Sequence, residues 1–147
     1  FKKITSQHYW FYVKAVLVII GGLGIYAARE TGEWFAESIK DDAYIRPILN
    51  MHHNFANITT YIFTVVAIAY LITWVNKDWA VFTNSQNVFW KFLVKISGWV
   101  LHRPVIIILA LAGLAAVTIT GGLGGAMAFG PDADPFFHPV FNFLMKK

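Results

Sequence analysis

Three apolar runs, each long enough to cross a lipid bilayer, decide what this chain can fold into. They read YWFYVKAVLVIIGGLGIYAA over 9–28, FANITTYIFTVVAIAYLITWV over 55–75 and VIIILALAGLAAVTITGGLGGAMAF over 105–129. About twenty residues at roughly 1.5 Å each cover a hydrocarbon core of about 30 Å. Lipid offers the backbone no hydrogen bonds, so each run must satisfy its own N–H and C=O groups as a helix. Composition agrees: 57% of the 147 residues are hydrophobic and 14% charged, where a soluble domain carries about 25% charged residues. The expected fold class is an all-α integral membrane protein. Its three transmembrane helices form a small bundle and a single transmembrane helical domain over 1–147.

The segments between the runs complete the expected organisation. Residues 29–54, with ARETGEWFAESIKDD at their start, read as an outer loop holding a short helix. Residues 76–103 form an inner connection. Within it, NVFWKFLVKISGWV sets Phe89, Leu93, Ile96 and Val100 on one helical face, with Lys91 and Lys95 elsewhere. That pattern fits an amphipathic helix in the membrane interface, and equally the start of a long third helix. Pro104 suits a first helical turn, and Gly130-Pro131 ends the third run, leaving an outer tail over 130–147.

The net charge of +4 is distributed unevenly. Lys2, Lys3, Lys14, Lys77, Lys91, Lys95 and Arg103 face Asp78 alone on one side, while the acids Glu30, Glu33, Glu37, Asp41, Asp42, Asp132 and Asp134 collect on the other. The positive-inside rule then puts the Phe1 end in the cytoplasm and the Lys147 end outside. The membrane expected is the bacterial inner membrane. Cysteine is absent, which removes thiolate metal sites and thioether-linked haem. No nucleotide-binding, zinc-protease or nucleophile-elbow motif occurs, so catalysis is left undetermined.

The chemistry-bearing residues are histidines. NMHHNF places His52 and His53 at the mouth of the second run, at the outer interface. A neutral imidazole there can ligate a haem iron or the metal of a chlorophyll-type pigment. The two rings are about 100° apart around a helix, so one at most faces a given plane. His53, Asn57, Thr60 and Thr64 form a polar stripe that favours His53, and the face with Ala56 and Thr59 favours His52. Interhelical hydrogen bonding is the expected role of Thr60 and Thr64. His138 is the other outer histidine and the candidate second ligand, or a surface residue of an amphipathic tail. His8 and His102 make an inner pair suited to interface anchoring. In TGGLGG, Gly121 and Gly125 stand four apart, the spacing that lets helix backbones approach in lipid. With Asn57 they complete the candidate cofactor face.

GGLGIYAARETGEWF, the histidine pair and TITGGLGGAMAFGPDADP together resemble the bacterial membrane family called domain of unknown function 2231. The matching positions are His52 or His53, then Thr120, Gly121, Gly124, Gly125 and Gly130, within a likeness over about residues 15–135. The resemblance implies four helices, with an initial span bearing a His-Pro that is missing from this chain, and it implies haem b and electron transport. The leading functional expectation is a small b-type cytochrome-like electron-transfer protein with haem near the outer interface. Its partners would be other membrane subunits of a redox complex, lipids, and a quinone or an outer-side cytochrome. The alternative is a structural accessory subunit of a larger respiratory or photosynthetic complex, in contact with lipid or pigment.

Overall fold

Each apolar run is the middle of a longer helix. The computed structural model describes residues 9–83, 86–132 and 134–146, with Ala80 and Val81 by backbone alone. The elements are α1 (Tyr9–Ile39), α2 (Ile45–Asp78), α3 (Ala80–Thr83), α4 (Val88–Val100), α5 (Arg103–Phe129) and α6 (His138–Met145), with no strand among the described residues. The molecule is all-helical, and α1, α2 and α5 are long and apolar enough to cross a membrane. His8 of the expected inner histidine pair lies outside the described residues, as do Lys2, Lys3 and Lys147.

The expected outer loop over 29–54 is corrected by the structure. Helix α1 continues to Ile39 and α2 begins at Ile45, leaving residues 40–44 as the connection. The reason is local. ARETGEWFAES contains no proline, Thr31 bonds back to the carbonyls of Ala27 and Ala28, and Arg29 pairs with Glu33 one turn on. Such i,i+4 pairs support an exposed helix by a few tenths of a kcal/mol. Asp42 then starts α2, its carboxylate accepting from the N–H groups of Tyr44 and Ile45 at 2.8 and 3.1 Å, which satisfies donors a helix start leaves open. At 31 and 34 residues, α1 and α2 are roughly 46 and 51 Å long, well beyond a hydrocarbon core of about 30 Å.

The connection over 76–103 also resolves. Asn87 caps α4 by accepting from the N–H groups of Phe89 and Trp90, and Leu101-His102 separates α4 from α5, so the amphipathic segment is a helix of its own. Its expected apolar face divides. Val100 is buried, whereas Phe89 and Ile96 are exposed. Gly130 stops α5 with φ of +92°, a left-handed conformation that glycine adopts without strain.

The contacts gather into two compact units, one of Phe1–Ile25 with Tyr61–Ala110, the other of Tyr26–Thr60 with Leu111–Lys147. In the first, Ala15, Val66 and Tyr70 form the core, flanked by Phe11, Val18, Trp74 and Leu109. At its polar end the Asp78 carboxylate accepts from the Tyr12 hydroxyl at 2.7 Å and from the Trp74 indole at 2.9 Å. The Lys77 ammonium stands 5.1 Å from the centres of the Phe11 and Tyr12 rings, a cation–π arrangement. The second unit is built on Ile48, Leu123, Ala126, Phe137 and Phe141.

Gly22 shows how closely α1 and α2 meet in the first unit. A Cβ built on it would lie 3.4 Å from the Ala67 Cβ, whereas one on Gly24 would meet nothing. Gly22→Leu should therefore cost about 1–3 kcal/mol by overpacking and lower the melting temperature in detergent, with Gly24→Leu leaving it unchanged. Thermal unfolding followed by circular dichroism compares the two directly.

Candidate functional site

The histidine pair lies inside α2, and α5 supplies what it meets. His52 Nδ1 is 3.0 Å from the carbonyl oxygen of Thr120. A carbonyl only accepts, so in this contact the proton resides on Nδ1, and in neutral His52 the lone pair is left on Nε2. A backbone carbonyl on the far nitrogen is the support that metal-ligating histidines commonly use.

The small residue at 124 leaves the Thr120 carbonyl within reach. A helical Cβ leans toward the N-terminus and covers the turn before it, so a side chain at 124 would cover the carbonyl at 120. Glycine leaves that ground clear, and the imidazole occupies it. A Cβ at 124 would lie 3.5 Å from His52 Cε1 and 3.7 Å from Nδ1. Gly122 is filled in the same way by the Phe137 ring, with which any added Cβ would collide.

These contacts rearrange the expected site. The close approach falls at Gly122 and Gly124; a Cβ on Gly121 or Gly125 would meet nothing within 4 Å. The partners are side chains, an imidazole and a phenyl ring, instead of a second helix backbone. Of the two histidines, His52 is the one shown in contact with α5. His53 is half-buried, its ring centre 6.2 Å from that of His52, and Asn57 is half-buried as well. The Thr60 hydroxyl donates to the Ala56 carbonyl of its own helix, and Thr59 to that of Phe55, so both hydroxyl protons are used within α2. A threonine in a helix reaches the carbonyl four residues back without help from a neighbour.

His138 begins α6 and points Nε2 at Asp132, 3.3 Å away. One of the two ring nitrogens that an axial ligand could offer is thus directed at a carboxylate. Asp134 orders the turn before it, accepting from the N–H of Phe136 at 2.9 Å. This turn seats Phe137 on Gly122 and helps enclose a pocket of ≈ 140 Å³ lined by Gly122, Gly125, Ala126, Phe129, Pro131 and Phe137, among others.

An enclosed tetrapyrrole does not fit these residues. The Gly122 and Gly124 notches are filled by the chain's own rings. The pocket beside them is smaller than the roughly 300 Å³ at which ligand sites begin and has no histidine in its lining. Among the described residues, no three His, Asp or Glu side chains converge as a metal site. The sequence reading missed Gly122, Phe137 and Asp132, and it held Thr120 and Gly124 only as positions of the family likeness. Only the i,i+4 spacing of Thr120 and Gly124 carried a signal.

No family model, curated protein or solved structure matches the chain, and the resemblance to domain of unknown function 2231 rests on its short motifs alone.

Two outcomes check this geometry. Gly122→Ala should destabilise the protein by about 1–3 kcal/mol through the Phe137 clash, while Gly121→Ala is tolerated; thermal melts in detergent give both. His52→Ala should cost about 1 kcal/mol for the lost bond to Thr120, measurable as faster amide exchange in the Ile45–Asn54 turns of α2, with His53→Ala leaving that exchange unaltered.

Proposed function

We propose that this chain is a structural accessory subunit of a larger membrane complex, a multi-pass protein whose helices serve as packing surfaces for partner helices. The observation that carries the reading is on α1. Gly21 and Gly24 are exposed and open, and a Cβ on either would meet nothing. Each glycine costs a helix up to about 1 kcal/mol against alanine, and lipid tails gain nothing from it. A partner backbone does. Within the chain only 11% of the most apolar stretch of α1 is buried, and likewise 11% of that of α5, so ample surface is free for partners.

His52 supports a second reading, closer to electron transfer. With Nδ1 held by Thr120, its Nε2 is free to ligate the metal of a haem b or a chlorophyll-type pigment. The pocket beside Gly122 is too small for such a group, so in this reading a partner subunit supplies the rest of the site. In both readings we place the chain in a bacterial inner membrane, with the Phe1 end cytoplasmic on the distribution of lysine and arginine.

Purification in mild detergent tests the first reading. The wild-type chain should carry a fixed set of other subunits, and Gly21→Leu with Gly24→Leu should release them without lowering the chain's own melting temperature. A lone, stable wild-type monomer would overturn it. A reduced-minus-oxidised spectrum of the same assembly tests the second. An α band lost in His52→Ala and kept in His53→Ala supports ligation by His52; a flat spectrum removes haem.

A further inference from the structure

Helix α4 carries two apolar faces, and only one of them is used. Ser97 and Val100 are buried, Ser97 bonds to the Leu93 carbonyl at 2.9 Å, and the Trp90 indole donates to Asn76 of α2 at 3.0 Å. These contacts fix which side faces the protein. On the other side Val88, Phe89, Phe92, Ile96 and Trp99 are exposed, from 42% at Ile96 to 82% at Val88. At 100° per residue the five fall within an arc of about 100°. Lys91 and Lys95, four residues apart and exposed, flank one edge of it.

The position of α4 limits what can cover that face. Thirteen residues reach roughly 20 Å, too short for a core of about 30 Å. Yet α4 joins the C-terminal end of one span-length helix to the N-terminal end of another, and so lies at the bilayer surface where α2 leaves and α5 enters. An amphipathic helix in that position sinks its apolar face to the boundary of headgroups and acyl chains. The surrounding charge is one-sided. Among described residues of this unit Lys14, Lys77, Lys91, Lys95 and Arg103 are opposed by Asp78 alone, and that carboxylate already accepts from Tyr12 and Trp74. Lys91 donates to Gln86 at 2.7 Å and keeps its charge in doing so. A basic edge beside an aromatic face complements a lipid with an anionic phosphate and apolar chains.

We propose that α4 is a binding site for anionic phospholipid, with acyl chains against Phe89, Phe92 and Trp99 and the phosphate held by Lys91 and Lys95. The assignment requires α2 and α5 to cross the bilayer; it is independent of the accessory-subunit reading, which concerns α1.

Native mass spectrometry of the full chain in non-ionic detergent tests it, with phosphatidylglycerol and phosphatidylcholine of identical acyl chains supplied in equal amounts. The wild type should retain phosphatidylglycerol in preference. Lys91→Gln with Lys95→Gln should cut the preference by about fivefold per lysine, with helicity by circular dichroism unchanged. Phe92→Gln with Trp99→Gln should weaken retention of both lipids. Equal retention of the two lipids by the wild type overturns the proposal, as does a preference that survives in the lysine variant. Displacement of the lipid by inorganic phosphate would mark a free-anion site and overturn it equally.

Discussion

A backbone surrounded by hydrocarbon can bond only to itself, and the architecture of this chain follows from that constraint. It makes α1, α2 and α5 helical whatever their neighbours do. It also moves the polar work to the helix ends, where Asp42, Asn87 and Asp134 accept from the first N–H groups of α2, of α4 and of the turn before α6. The same constraint explains the threonines. Thr59, Thr60, Thr118 and Thr120 each bond to the carbonyl one turn back, so none of these hydroxyls needs a partner from outside its helix. Between α2 and α5 in the second unit the His52 bond to Thr120 is a polar contact set among the apolar contacts of Ile48, Leu123 and Phe137.

The spans were legible because twenty-residue apolar runs have one solution in lipid. Their ends were less so. The acids of ARETGEWFAES suggested an outer loop, but charge says where a segment is solvated and not whether it is helical; with no proline to interrupt it, α1 kept going. The site was half legible. NMHHNF marked the turn of α2 that contacts α5, yet a pair of adjacent histidines carries no information about which ring meets α5. That depends on how α2 is rotated, which Ile48 decides by being fully buried beside Leu123. The glycine pattern was ambiguous for a related reason. TGGLGG offers several small-residue spacings, and the fold uses Gly122 and Gly124 because Phe137 and His52 lie over them, a fact settled by residues far away in sequence.

The two ends of helix α4 show the same division between local and distant information. Its start follows from Asn87, and its separation from α5 from the turn at Leu101-His102. Which of its apolar residues faces the protein does not follow from periodicity, because both faces are apolar. The bond from Trp90 to Asn76 selects between them.

The contact between His52 and Thr120 joins a side chain to a main-chain oxygen, and that has a consequence for evolution. The carbonyl at 120 is offered by any residue that keeps the helix, so the side chain there can drift without touching the bond. The position that must stay small is 124, which makes no hydrogen bond to the histidine. Correlated change between related sequences would therefore record nothing between 52 and 120. The trace of this interaction would be a small residue one turn further on, at a place where no polar contact is seen.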